Sequence, residues 1–241
     1  MYYLVHIPHA GTFIPQEYLD DYCLDKNELT ANIYEYADLY TDELFDEFYK
    51  KFGGVKSKYS RLFFDAERFE DDSKEEMYKF GLGWFYENAI LEKKPLRNTK
   101  HKEEIKKFYK THHENLNRLT KEKLGKFNKV TIIDAHSFSN RSYWFFKKSD
   151  FPDICIGFDE FHKDEELIEI IKNEFKEYEI AENYPYSGSI VPLEYYQKEE
   201  KVKSVMIEIN KRIYLEDDNI TKGRDFEKIK EKLMRIANRI S

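Results

Sequence analysis

Little in this sequence points to disulfide bonds, to secretion or to a membrane. It has two cysteines, Cys23 and Cys155, and neither lies in a CxxC motif, so we expect a reducing compartment rather than a disulfide framework. No apolar run approaches the roughly 20 residues that span a bilayer. The first residues, MYYLVHIPHAG, lack the basic and apolar regions of a secretory signal. We therefore expect a cytoplasmic protein with no membrane partner.

The sequence also lacks a strongly basic region. Its 40 basic side chains are outnumbered by 47 acidic ones, and the net charge is -7. Lys and Glu are mixed in stretches that are typical of solvated helix faces, so we do not expect nucleic acid as a partner. What the chain has in abundance is aromatic side chains, with 19 Tyr, 19 Phe and 2 Trp, which is enough to build a globular core.

Strand-like and helix-like segments alternate along the chain. We predict strands at Tyr2–Ile7, Val55–Phe64, Val130–Ile133, Asp153–Phe158 and Val202–Ile209, and helices at Ile33–Lys50, Lys102–Lys126, Asp164–Tyr178 and Asp225–Ile240. Residues 66–100 show few regular signals and are predicted to form an irregular, functional connection. The pattern predicts a single α/β domain over residues 1–241, with three α/β/α layers around a mixed, mostly parallel sheet.

Polar residues with ligand or acid–base chemistry recur where the predicted strands end. His9 follows the first strand, Asp65 the second, and Asp134 and His136 the third, while Glu208 lies near the end of the last. In open α/β sheets, ligands bind outside the carboxyl ends of the strands. These residues can therefore converge on one site although they are far apart in sequence.

The histidines differ in how well they fit such a site. His9 fits either a loop histidine that bonds the backbone or a metal ligand, and His136, two residues past Asp134, fits either a core histidine or a ligand. His6 is predicted to be structural. His113 lies near the buried face of a helix, where a hydrogen-bonded core role is the alternative. We expect His101 and His162, which lie in charged segments, to be solvated.

A catalytic metal site needs at least three ligands and an open position. His9 and His136 supply two, and no HExxH or H-x-x-E motif supplies the third, because Thr12 stands three residues after His9. Asp38 and Asp42 share one face of the predicted helix, where a solvated acidic face is the alternative. Glu208 interrupts an apolar strand end, M-I-E-I-N, so we expect a partly desolvated carboxylate that suits a general base, unless it forms a structural ion pair.

Eight motifs in order give the chain a resemblance to the N-formylglutamate amidohydrolases, also called N-formylglutamate deformylases. They are IPHAGTFIP (7–15), ADLYTDEL (37–44), YSRLFFDAER (59–68), HENL (113–116), IIDAHSFS (132–139), FPDICIG (151–157), NYPYSGSIV (183–191) and VMIEINKRIYL (205–215). That family is in turn distantly similar to the zinc carboxypeptidases. The resemblance implies a zinc-carboxypeptidase-like (phosphorylase/hydrolase-like) fold and a role in histidine degradation.

The resemblance also implies roles for particular residues. His9, His136 and a carboxylate hold Zn²⁺ or another divalent metal, and Glu208 is the general base. Asp38 is the expected carboxylate, with Asp42 and Asp134 as competitors. Arg61, Arg68 and Ser137 are the expected substrate-binding residues, and Asp65, His113 and Asp134 are candidate supporting residues.

The implied reaction is hydrolysis of the amide of an N-acyl amino acid, with N-formyl-L-glutamate giving glutamate and formate. The sequence departs from the family pattern at Glu67, where the family usually has Asn. A negative charge beside an anchor for an anionic substrate weakens that anchor. Two alternatives therefore stay open: hydrolysis of another acylated amino acid or peptide fragment, and a non-catalytic binding protein on this scaffold. The sequence does not indicate an oligomeric state.

Overall fold

A six-stranded sheet forms the centre of the computed structural model, which describes residues 1–148 and 150–241. The strands are β1 (Tyr3–Ile7), β2 (Gly54–Lys56), β3 (Val130–Phe138), β4 (Ile154–Gly157), β5 (Ile180–Glu182) and β6 (Val202–Asn210), in the spatial order β2-β1-β3-β6-β4-β5. All neighbours are parallel except β4 and β6, which pair antiparallel. The predicted mixed, mostly parallel sheet is confirmed.

Helices cover both faces of the sheet, as a largely parallel sheet requires. They are α1 (Lys26–Tyr36), α2 (Thr41–Leu44), α3 (Asp46–Phe52), α4 (Lys102–Phe127), α5 (Glu165–Glu174) and α6 (Phe226–Arg239). On one face, α4 buries Leu116 with Leu4 and Ile132. On the other, α3, α5 and α6 form the larger core, which includes Phe48 and Leu233. None of the described helices is long and apolar enough to cross a membrane.

The region between β2 and α4 is irregular, as predicted, but it is well packed. It holds short 3₁₀ helices at Asp72–Lys74 and Glu76–Phe80 and a second core of aromatic side chains that includes Phe63, Trp84 and Tyr86. The predicted strand over Val55–Phe64 is wrong beyond Lys56. The side chains of residues 62–64 pack into this second core instead of continuing the sheet.

The predicted single helix over Ile33–Lys50 is also wrong, because the chain breaks between α1 and α2. Tyr40 has a left-handed backbone conformation with φ of 65°, which continues neither helix. The backbone N–H of Asp38 donates instead to the carbonyl of His9, at 2.9 Å. The break therefore brings Asp38 next to the turn that follows β1.

The remaining elements differ from their predicted bounds at the ends. β3 runs five residues further than predicted, so Asp134 and His136 lie within the strand rather than after it. The helix predicted over Asp164–Tyr178 ends at Glu174, and the three-residue β5 was not predicted.

Candidate active site

Three side chains with metal-ligand chemistry meet at the carboxyl edge of the sheet. His9 follows β1, Asp38 lies in the break between α1 and α2, and His136 belongs to the central strand β3. Asp38 Oδ2 is 3.1 Å from His136 Nδ1 and 3.7 Å from His9 Nδ1. One ligand atom from each residue lies within 4.8 Å of the others, and all three residues are buried.

Asp65 holds the outer side of His9. Its Oδ1 is 2.8 Å from His9 Nε2, while Oδ2 accepts hydrogen bonds from Arg61 at 2.8 and 3.2 Å and from Tyr86 at 2.5 Å. Burial alone would raise the pKa of Asp65, but the Arg61 guanidinium and His9 hold it well below its usual range. Asp65 is therefore an ionised anchor that turns His9 Nδ1 towards Asp38.

Asp134 has the same relationship to His136. Its Oδ1 is 3.0 Å from His136 Nε2 and 2.8 Å from His6 Nδ1, and its Oδ2 accepts the Ile190 backbone N–H at 3.2 Å. Both histidines thus present Nδ1 to Asp38 while a buried carboxylate holds Nε2. Carboxylate support of this kind fixes the ring orientation of a metal-binding histidine.

Behind Asp134, His6 links two carboxylates in the interior. Burial favours its neutral form, but the hydrogen bond to Asp134 and the charges of Asp134 and Glu67 raise its pKa to about 9. Its Nε2 is 2.7 Å from Nε2 of His112. The pKa of His112 is lowered by burial, so that ring is neutral and accepts this bond. His6 is fully buried, as a structural histidine would be, and its contacts with the two carboxylates favour its charged form.

The donor set fits a divalent metal. His9 Nδ1 is buried and has no hydrogen-bond partner among residues 1–148 and 150–241, although it points at Asp38. Burial alone would raise the pKa of Asp38, but His136 and His9 lower it. Two imidazole nitrogens and one ionised carboxylate are a ligand set that zinc binds in catalytic sites. Asp42 is not in this group, since its carboxylate lies 3.5 Å from Lys56 and is 39% exposed.

Glu208 stands beside His136 in the sheet. The two residues are opposite each other in the β3–β6 pairing, and Cys155 of β4 is the register partner of Glu208 on its other side. Glu208 is 7% exposed, and in the described part of the chain its Oε2 has no hydrogen-bond partner. Burial raises its pKa to about 8, with Asp38 adding to the effect and His136 opposing it. It is buried, where we had expected partial desolvation.

A cavity of about 390 Å³ opens onto these groups. The donor residues, Glu208 and four further residues proposed from the sequence line it: Arg61, Arg68, His113 and Ser137. Asp65 and Asp134 lie behind the histidines and hold them in place through hydrogen bonds. The structure thus brings together all the residues expected at the site, and it separates those that face the cavity from those that support them.

Sequence reasoning missed other residues that line the cavity. Lys211 follows β6 directly and is buried, and its Nζ donates to the backbone carbonyl of Glu35 at 2.9 Å. Burial lowers its pKa. Tyr36 lies under the Arg61 guanidinium, with 4.2 Å between the guanidinium carbon and the ring centre. The signal for Lys211 was its position three residues after Glu208 in the motif VMIEINKRIYL.

The two histidines that we expected to be solvated are not. The side chain of His101 is 20% exposed, and its Nδ1 lies 2.7 Å from Asp21 Oδ2. His162 is fully buried rather than solvated, with Nδ1 2.6 Å from the Val202 carbonyl and Nε2 accepting from the Gln197 backbone N–H. It joins the start of β6 to the preceding loop. The charged residues around it in sequence gave no sign of this role.

The fold and this site define an α/β protein with a buried two-histidine, one-carboxylate centre and an adjoining carboxylate. The family model described as N-formylglutamate amidohydrolase matches residues 1–215. The chain therefore belongs to the N-formylglutamate amidohydrolase family, which confirms the resemblance seen in the sequence.

Two solved structures share the fold. The crystal structure of N-formylglutamate amidohydrolase from Ralstonia eutropha JMP134 matches with a TM-score of 0.84 and 19% identity, covering 100% of this chain and 92% of that one. A gene product of Agrobacterium tumefaciens matches with a TM-score of 0.68 and 19% identity, covering 99% and 89%. A comparison with curated proteins finds no match.

Proposed function

We propose that this protein is a zinc-dependent amidohydrolase that removes the formyl group of an N-formyl amino acid, with N-formyl-L-glutamate as the reference substrate. The observation that carries the proposal is the buried cluster of His9, Asp38 and His136 beside the carboxylate of Glu208, at the end of a substrate-sized cavity. Family membership supports amide hydrolysis, and the donor set supports the metal.

His9 Nδ1, Asp38 Oδ2 and His136 Nδ1 would hold the zinc ion. A bound zinc supplies Lewis acidity, which polarises an amide carbonyl and makes water a better nucleophile near neutral pH. The carboxylates already favour positive charge here, because Asp134 and Asp38 raise the pKa of His136 against the effect of burial. A divalent cation would replace that proton, so we expect metal binding to release protons.

Glu208 is the proposed general base. Its Oε2 is buried and free of hydrogen bonds within the described structure, so it can take a proton from the attacking water. A raised pKa makes the ionised carboxylate a stronger base than an exposed one, and the charge of a bound metal ion would favour that ionised form. The same oxygen can then pass the proton to the leaving amide nitrogen. The two transfers allow the C–N bond to break with formic acid and a neutral amine as the immediate products, and the acid then gives its remaining proton to the amine or to solvent to leave formate.

Cationic side chains around the cavity suit an anionic substrate. Arg61 faces the cavity, is fixed by Asp65 and stacks on Tyr36. Lys211 has a buried Nζ on the same cavity. We assign these two cations to the α-carboxylate of the substrate, because a guanidinium can offer paired donors to a carboxylate. Arg68 is on the wall beside Glu67 and contacts the side chain of the substrate.

A second candidate is hydrolysis of a different acylated amino acid or peptide fragment at the same centre. Glu67 favours it, because this carboxylate lines the cavity next to Arg68. The metal, its ligands and the base would be the same in this case. Only the part of the substrate that contacts Glu67 and Arg68 would change.

Zinc titration with a formate-release assay tests the proposal. The metal-free protein should be inactive on N-formyl-L-glutamate and other N-formyl amino acids, and one equivalent of zinc should restore activity. Glu182→Gln serves as a matched control for Glu208→Gln, because Glu182 ends β5 of the same sheet and pairs with Lys172 outside the cavity. Full activity in Glu208→Gln, or a binding-only protein that releases no formate, would overturn the proposal.

A further inference from the structure

Residues that line the cavity carry buried polar atoms for which the described part of the chain supplies no hydrogen bond. Glu67 Oε1, Arg68 Nε and His113 Nε2 are all buried, and none has a hydrogen-bond partner within residues 1–148 and 150–241. All three residues line the cavity. Buried polar groups are nearly always paired, so three unpaired atoms on one wall indicate a ligand that completes them.

Glu67 offers an acceptor. Its Oε1 is 3.2 Å from His6 Nδ1, but the single N–H at that nitrogen is directed to Asp134 Oδ1 at 2.8 Å. The side chain of Glu67 is 15% exposed, with the cavity as its open side. The carboxylate therefore keeps a lone pair for a donor in the cavity.

Arg68 offers a hydrogen-bond donor to the cavity, and His113 offers an acceptor. The carboxylate oxygens nearest to Arg68 Nε are Glu75 Oε1 at 3.8 Å and Asp65 Oδ2 at 3.9 Å, too far for hydrogen bonds, so its N–H is available to an acceptor. Burial lowers the pKa of His113 to about 4, so the ring is neutral and one of its nitrogens accepts. The wall thus offers a carboxylate acceptor, a guanidinium donor and a neutral imidazole.

We propose that this wall binds the side-chain end of the substrate and selects a primary carboxamide, as in N-formyl-L-glutamine, over a carboxylate. A carboxamide presents one carbonyl to Arg68 Nε and two N–H groups to Glu67 Oε1 and His113 Nε2. A carboxylate satisfies Arg68 alone and sets an oxygen without a proton against Glu67. Like charges placed side by side in a buried site cost affinity. The proposal rests on the proposed function of this same cavity.

The test compares N-formyl-L-glutamine with N-formyl-L-glutamate on the zinc-loaded protein. We expect kcat/KM to favour the glutamine compound by about tenfold or more, since sites built to bond a polar group discriminate strongly against analogues that leave it unpaired. Glu67→Gln should lose most of this preference, because the amide that replaces the carboxylate can donate to a substrate carboxylate. Glu70→Gln is the matched control: Glu70 is in the same loop but pairs with Lys106, and it should keep the wild-type ratio.

Calorimetric binding of both compounds separates recognition from chemistry. In Glu208→Gln, the dissociation constants should show the same preference as kcat/KM in the wild type. A wild-type preference for N-formyl-L-glutamate, or a ratio unchanged by Glu67→Gln, would overturn the subsite. If Glu67→Gln fails to fold, the wild-type ratio decides. If neither compound releases formate, the proposed function fails, and the two dissociation constants of the wild-type protein still decide the preference.

Discussion

His136 Nδ1 lies 3.1 Å from Asp38 Oδ2, although 98 positions separate the two residues in sequence. The contact joins the central strand of the sheet to the break between α1 and α2. It brings a carboxylate to the position where the proposed metal centre would need a third ligand, without the local H-x-x-E spacing. Asp38 is therefore our choice over Asp42 and Asp134.

Removing a proposed ligand should abolish tight zinc binding. We expect Asp38→Asn and His136→Ala to weaken zinc affinity by more than about 100-fold, because only two protein donors would remain and even supporting residues cost 10–100-fold. Competition with a chromophoric chelator measures the affinity. Asp42→Asn is the control, since Asp42 pairs with Lys56 at the surface and should bind zinc like the wild type. Zinc affinity that is unchanged in His136→Ala would show that the ligand is elsewhere.

Glu208→Gln should separate metal binding from catalysis. The amide cannot take a proton, so we expect kcat to fall by roughly 10²–10⁴, the range that general acid–base groups contribute. Zinc affinity should change little, because Glu208 is not among the three donor residues. On the same preparation, formate release measures kcat and chelator competition measures the zinc affinity. A large loss of zinc together with activity would instead make Glu208 a ligand.

The hydrogen bonds that Asp65 receives should tune the metal through His9. We expect Asp65→Asn to weaken zinc affinity about 10–100-fold, because an amide holds His9 Nε2 without a negative charge. Tyr86→Phe removes one of the donors to Asp65 and should have a smaller effect in the same direction. Tyr22→Phe is the matched control, since its hydroxyl lies in the same region and donates to the Leu62 carbonyl. Equal zinc affinities in all three variants would count against this supporting role.

His6 should make the metal-free protein less stable at alkaline pH. Its pKa is raised from 6.5 to about 9 in the folded state, so its charge stabilises the fold fully below pH 6.5, and this contribution is lost as pH rises through 9. Urea unfolding in chelator should show a loss on the order of 3 kcal/mol between pH 6 and 9.5 from this group. His6→Gln should be less stable at pH 6, and its stability should fall less steeply with pH. An identical slope in both proteins would mean that His6 is not charged.

The meeting of His9, Asp65 and Glu208 could be foreseen from the sequence. His9 and Glu208 follow or end strands of the sheet, and parallel strands bring their carboxyl ends to one edge. His136 was found for the same reason, although β3 is longer than its apolar core suggested. Asp65 was expected there for a reason that the structure contradicts, because the strand predicted before it ends at Lys56 and residues 62–64 pack into the second core. These predictions depended on local patterns and one general rule of α/β folds.

The position of Asp38 and the packing of the irregular region were harder to predict from the sequence, for a physical reason. Apolar residues keep helical spacing from Ile33 to Lys50, so periodicity carries no sign of the break. That break is fixed by a tertiary hydrogen bond from Asp38 to His9. The residues of the second aromatic core likewise have no regular spacing in the sequence, because many of them lie in turns and 3₁₀ helices. Three residues of β5 are too few to form a pattern.

The last strand of the chain occupies the middle of the sheet. β6 lies between β3 and β4, and it carries Glu208 to its place beside His136. A ribosome must therefore synthesise the chain beyond residue 208 before the sheet can close. Premature termination or cleavage before β6 removes the centre of the fold together with Glu208. Chains that end before β6 should therefore fail to fold, because β3 and β4 both lose the strand that joins them.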